Sequence, residues 1–235
     1  MKVKNYLFFG LIFLLVVCLS GFAHLKNKNR EVTEFEISFE FNSSHFLNDS
    51  IVNKLLIQNT QSLPWKSLDS LDLNMLESLI EKNPFIQNAE VFNYPQGIVG
   101  VRIQERKPVL RILGDANYYI DQFANEVPLS KRYSPNVPVY MGTLNEVRKK
   151  EVLSILKAIK QDSFLERELA AIFIKNNSYY LALRSFDFEI EIGRLNDFSA
   201  KLDKLKIFCA YQQNNESEKQ YKHISLKFKN QIVGS

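Results

Sequence analysis

Twenty-one residues between Lys4 and Lys26 include no Asp, Glu, Lys or Arg, and thirteen of those from Leu7 to Leu25 are Leu, Ile, Val or Phe. A helix rising about 1.5 Å per residue crosses a hydrocarbon core of about 30 Å in about 20 residues. At roughly −0.3 to −0.6 kcal/mol per apolar residue, the thirteen contribute on the order of −4 to −8 kcal/mol towards insertion, an upper estimate because several lie off centre. The expectation is a transmembrane helix over residues 6–25. A five-residue cytoplasmic tail precedes it and a short linker, residues 26–31, follows.

The same stretch fits a second description. Lys2 and Lys4 followed by an apolar run and by the small residues Gly21 and Ala23 also describe a cleavable signal peptide. Charge bias does not set the orientation, because Lys26, Lys28 and Arg30 outnumber the two lysines before the span. The tail is too short to fold, so the working part of the chain follows residue 30. Both readings place that part outside the cytoplasm.

The net charge of +4 and the pI near 8.9 come from the membrane flank. Five basic residues precede Glu31, which leaves 25 Lys plus Arg against 26 acidic residues, a net of −1. A part this close to neutral has no electrostatic footprint for nucleic acid. Of the two cysteines, Cys18 lies in the apolar span and Cys209 stands alone, so stability has to come from packing.

From Val32 to Phe41, Phe35, Ile37, Phe39 and Phe41 alternate with Glu34, Glu36, Ser38 and Glu40, the pattern of a half-buried strand. Asp49 or Ser50 is expected to cap a helix carrying Ile51, Val52, Leu55 and Leu56. A second helix begins near Ser70 to Asp72, with Asp69 and Asp72 as first-turn caps. It turns Leu73, Leu76, Leu79 and Ile80 inward and stops before Pro84, because the residue ahead of a proline is pushed out of the helical region. Strands from Ile86 and from Ile98 to Gln104 flank a turn at Tyr94-Pro95-Gln96-Gly97. Strand, helix, helix, strand, strand makes one small core over residues 32–107. From residue 108 to 235 the texture is β-rich with flanking helices. Strands are expected at Val109–Leu113, Tyr118–Ile120, Ala171–Ile174, Tyr179–Leu183 and Phe188–Ile192, and helical patches at Glu146–Lys160 and Phe198–Gln212. A last alternating strand sets Ile224, Leu226 and Phe228 against Ser225, Lys227 and Lys229. The fold class is therefore α+β.

Catalytic machinery is not apparent. His24, His45 and His223 have no partners at metal-ligand spacing. There is no G-x-S-x-G, no C-x-x-C and no glycine-rich phosphate loop. Glu189 and Glu191 share a strand face and read as solvated residues of a half-buried strand. No cofactor, metal or small-molecule substrate is expected, and the chain reads as non-enzymatic.

The run from Leu73 through Asn83-Pro84-Phe85-Ile86 to Val91 resembles the second helix and strand of the POTRA domain in the cell-division family FtsQ, also called DivIB. Val101-Arg102-Ile103-Gln104-Glu105-Arg106-Lys107-Pro108-Val109 is similar to that family's domain exit. Tyr118-Tyr119-Ile120-Asp121, Pro128-Leu129-Ser130, Val137-Pro138 and Gly142 resemble the start of its second domain, with Ala124-Asn125 where the family usually turns on a glycine. Ile224 to Val233 is similar to the family's final strand. The resemblance implies a scaffold in the cell inner membrane at the division septum. Its outer domain would bind FtsB- and FtsL-like membrane proteins, among other division proteins, and help regulate septal cell-wall synthesis.

A terminal alternating strand can accept a partner strand through main-chain hydrogen bonds. Residues 224–233 are accordingly expected to form the docking edge, with Ile224, Ser225, Lys227, Phe228, Asn230 and Gln231 as partner-binding residues. Phe228 offers an aromatic anchor, and the resemblance places a small polar interface residue at Asn230. Two other readings have different signatures. A POTRA protein of envelope export calls for a following β-barrel, and an extracytoplasmic hydrolase calls for a pocket with a perturbed titratable pair.

Overall fold

The computed structural model of the chain describes residues 2–28, 32–40, 45–60, 71–94, 96–214, 221–229 and 231–235. Two compact units result, Met1–Arg106 and Lys107–Ser235.

In the first unit, helix α1 covers Lys2–Lys28. Its described side chains, residues 8–23, include a continuous series of exposed large apolar groups from Phe8 to Phe22. Among the described residues no helix is long and apolar enough to cross a membrane. The span expected over residues 6–25 reaches past those described side chains at both ends.

Strand β1, Glu34–Phe39, keeps its glutamates exposed and half-buries Phe35, Ile37 and Phe39. Helix α2, Asp49–Thr60, begins one residue earlier than Asp49 or Ser50 as cap would allow. Asn48 is the cap, its Oδ1 accepting from the Ile51 amide at 2.9 Å. Asn serves as well as Asp or Ser there, since only a short side-chain acceptor is needed. Val52 and Leu56 form the buried face, whereas Ile51 remains 38% exposed. Helix α3, Leu73–Glu81, is capped by Asp72, which accepts from Met75 N at 3.0 Å, and it ends before Pro84. Asp69 lies outside the described residues. Strands β2, Ile86–Asn93, and β3, Ile98–Glu105, form an antiparallel pair, and β1 runs parallel to β3, giving the order β1-β3-β2. Leu76, Ile80, Val52 and Leu56 pack on Ala89, Val91, Val99, Val101 and Ile103 as one core.

Three carboxylates tie the helices to this sheet. Glu105 accepts from the amides of His45, Phe46 and Leu47 at 2.8, 3.1 and 2.7 Å, fixing the approach to α2. Glu81 and Glu77 of α3 accept from Ala89 N and Val91 N of the outer strand β2 at 3.1 and 2.8 Å. Those two donors point out of the sheet edge, so the glutamates blunt it as a template for strand addition.

The second unit is built on nine strands in one sheet among the described residues, in the order β12-β11-β10-β9-β8-β7-β4-β5-β6. In chain order these are β4 Pro108–Leu113, β5 Tyr118–Asp121, β6 Glu126–Val127, β7 Val139–Met141, β8 Leu169–Lys175, β9 Ser178–Leu183, β10 Glu189–Gly193, β11 His223–Ser225 and β12 Val233–Gly234. Helices α4, Glu146–Ile159, α5, Ser163–Glu168, and α6, Phe198–Asn214, supply Val152, Ile155, Leu165, Leu202, Leu205 and Cys209 to a core with Ile112, Tyr140, Ile172, Leu181, Ile190 and Ile224. Cys209 is fully buried, and burial pushes its thiol up to about 12, so it behaves as a small apolar side chain.

Two turns follow from local chemistry. Asn176 and Asn177 both adopt positive φ, 50° and 60°, and close a two-residue β8–β9 hairpin. After β5, Ala124 takes φ 69°, where the resembled family has glycine. Asp121 sustains this turn by accepting from the amides of Phe123 and Asn125, each at 2.9 Å.

Candidate partner-docking edge

The β12 end of the nine-stranded sheet gathers most of the residues expected to bind a partner, in an arrangement that corrects the single strand expected over 224–233. Strand β11 ends at Ser225. Ile224 and Leu226 are fully buried in the core, Ile224 in register with Ile190 of β10, and Leu226 N donates to Glu191 O at 2.8 Å. The chain then leaves the ladder. Lys204 of α6 places its Nζ 2.6 Å from the Phe228 carbonyl and 3.4 Å from that of Lys229, so the helix holds the turning segment. The backbone returns as β12, antiparallel to β11, with Ser225 opposite Val233 and Ile224 opposite Gly234. Apolar–polar alternation through Lys229 reports which way side chains face. It does not report which carbonyls are in a ladder, and here an ammonium from another element takes them.

Phe228 is 47% exposed and Gln231 is exposed, whereas Ser225 is buried in register with Glu191. Asn230 lies outside the described residues. Lys227 extends over Gly193, where a Cβ would meet its Cγ at 2.6 Å, and its Nζ reaches Glu191 at 2.9 Å. Gly193 adopts φ 73° and leaves room for that stem.

Glu191 is therefore not a solvated residue as expected; it is 7% exposed. His223 Nε2 stands 3.8 Å from its carboxylate. Glu189, two positions away, pairs separately with Lys175 at 2.7 Å. Burial pushes the Glu191 carboxyl up, but the hydrogen bond and charge of Lys227, with a further hydrogen bond from Tyr180, outweigh it and hold the group below the usual carboxylate range. A folded-state pKa depressed in this way gives stability that is present above about pH 4.5 and is lost as pH falls through the folded value. Glu191→Gln is accordingly expected to flatten the loss of stability between neutral pH and pH 3. Denaturant melts of both proteins across that range measure it, and equal acid slopes would show that Glu191 contributes nothing there.

Sequence reasoning missed the side chains next to this cluster on the same sheet face. Phe173 and Tyr180 stack at 5.4 Å, Tyr180 lies 6.1 Å from the His223 ring, and Lys175 sits over both Phe173 and Tyr180, at 4.9 and 5.6 Å. Their positions opposite the core-facing Ile172 and Leu181 carried the signal, since period two assigns them to one outer face. An ammonium over an aromatic face is an attractive pair, and tyrosine is among the residue types enriched in protein–protein hot spots. Among the described residues, no group of three or more His, Cys, Asp or Glu is placed to hold a metal.

A small unit with helices on a three-stranded sheet is followed by a β-rich unit built on one nine-stranded sheet. Residues 33–104 match the POTRA-like domain, and residues 107–235 match the family described as FtsQ/DivIB, C-terminal related. The chain belongs to the FtsQ/DivIB family of cell-division proteins. A relative, the cell division protein FtsQ of Rhodothermus marinus, is 24% identical over 185 residues, which cover 71% of this chain and 66% of the relative, just under two thirds of its length.

Proposed function

We propose that this chain is a non-enzymatic scaffold at the division septum of the inner membrane. Residues 6–25 anchor it, residues 32–235 stand outside the cytoplasm, and the β11–β12 end of the second unit docks FtsB- and FtsL-like membrane proteins, thereby helping to regulate septal cell-wall synthesis. The observation that carries this reading is the exposed sheet end itself. A strand edge at β12 adjoins an outer face of Phe173, Tyr180, Lys175 and the Glu191–Lys227 pair, with Phe228 exposed beside it. By contrast, the β2 edge of the first unit has two of its outward amides occupied by Glu77 and Glu81.

Capture of an FtsB-like protein by the full-length chain, co-expressed in membranes, tests the reading. Phe228→Ala is expected to weaken capture by about thirtyfold, the effect of removing a hot-spot side chain worth about 2 kcal/mol. Asn230→Trp is expected to weaken it further, because strand docking depends on backbone access that a bulky group obstructs, and Lys227→Pro is expected to weaken it by removing the ammonium paired with Glu191 at 2.9 Å. Circular dichroism establishes that each variant is folded. Wild-type capture by all three would move docking away from this edge.

A further inference from the structure

The outward edge of β11 is already occupied, by this chain's own residues 231–235. His223 exchanges two main-chain bonds with Ser235, N to O at 3.1 Å and O to N at 2.9 Å, and Lys222 N also donates to Ser235 O at 3.0 Å. On its other side β11 is paired with β10. A strand added to β11 therefore has no vacant edge to join.

The occupying segment is lightly held. Beyond the His223–Ser235 pair, two positions are in register between the strands, Ile224–Gly234 and Ser225–Val233. Val233 is 42% exposed and Gln231, Gly234 and Ser235 are exposed, so Ile232 is the single side chain of the segment packed against the core. The hinge before it is anchored independently, because Lys204 grips the carbonyls of Phe228 and Lys229. Release of residues 231–235 would break few contacts and leave β11, Leu226 and the Glu191–Lys227 pair in place.

We propose that residues 231–235 act as a strand supplied in cis, which a docking partner replaces on the edge of β11 instead of adding outside it. This rests on the docking reading given above and specifies its mechanism. The partner it fits is an extended segment running antiparallel to β11. It presents a large apolar side chain where Ile232 meets the core. Two residues further on it presents a small one, because the Tyr221 ring, packed on Phe208 at 5.6 Å, leaves no room over Gly234. A Cβ at that position would meet the ring at 2.4 Å. Its intervening side chain faces Ser225 and the neighbouring Glu191, so a polar or basic residue suits it.

Replacement has a quantitative signature. If the cis strand is closed over β11 with equilibrium constant K, the partner's apparent affinity is reduced by the factor 1 + K, and removing the strand restores it by the same factor. Hydrogen exchange of the His223 amide reads K directly. The test compares the full chain, a chain ending at Asn230, and Gly234→Val, whose branched side chain expels the segment without shortening the chain. Both altered chains are expected to exchange the His223 amide at least tenfold faster. They are also expected to bind the FtsB-like partner more tightly by the same factor. A labelled peptide of residues 229–235, supplied in trans, is expected to bind the shortened chain saturably and the full chain at least tenfold more weakly. Equal partner affinity for all three folded chains, or failure of the peptide to bind the shortened one, overturns replacement while leaving edge docking intact. Loss of partner binding in both altered chains shows that the partner adds to β12 and also overturns it. A partner that binds none of the three, the full chain included, defeats the docking reading itself.

Discussion

Leu76→Ala is expected to destabilise the first unit by about 2–5 kcal/mol, the cost of removing a fully buried leucine and leaving a cavity that the surroundings only partly fill. Leu76 is 1% exposed on the inner face of α3, against Val91, Val101 and Ile103. Leu79 is only partly buried, so Leu79→Ala should cost distinctly less. Native domains are stable by roughly 0.05–0.15 kcal/mol per residue, so this one change removes a large share of the stability of a unit of this size. Denaturant titration monitored on the unit's own transition gives the comparison. Equal effects of the two substitutions would mean that α3 packs on a different face.

The second large effect is electrostatic. Glu105→Ala withdraws a carboxylate from the three consecutive amides of His45, Phe46 and Leu47, two of whose side chains lie in the core. A hydrogen bond to a charged group contributes about 1.5–3 kcal/mol, and of the three donors the part-buried Phe46 and Leu47 amides recover a partner from water only incompletely. The expected loss is on the order of 3 kcal/mol, with Glu105→Gln recovering part of it by keeping one acceptor oxygen. Because these bonds set the entry to α2, proteolysis should also reach residues 45–47 sooner in Glu105→Ala. Unchanged stability and unchanged cleavage would show that the loop is held by its apolar contacts alone.

What the sequence made legible was local. The Asp72 cap and the Pro84 stop bracket α3, and the alternation of β3 sets its face. The resemblance singled out the run containing Glu105 but gave the residue no role, because its partners lie about sixty positions away. Strands β6 and β7 were not legible either. They are two and three residues long, too short for periodicity, although β7 joins β4 to β8 in the middle of the sheet. Helix α5 was missed for the same reason, its six residues being set by the Asp162 cap.

The candidate docking edge shows the limit most clearly. The faces of Ile224, Ser225 and Leu226 were readable from period two. The end of β11 was not, since it depends on Lys204 in α6 and on the return of residues 231–235. Glu191 looked solvated because its burial comes from Lys227, His223 and Tyr180, side chains on neighbouring strands and the segment beyond β11. In each case the missing information was a contact between elements far apart in the chain.

The central claim, a scaffold that works at the division septum, is tested most directly by a fluorescent fusion to the full chain, imaged in dividing cells of the bacterium that encodes it. Enrichment at the constriction site as septation begins is the predicted result. A uniform envelope signal throughout the cell cycle, from a fusion that supports normal growth, would contradict it.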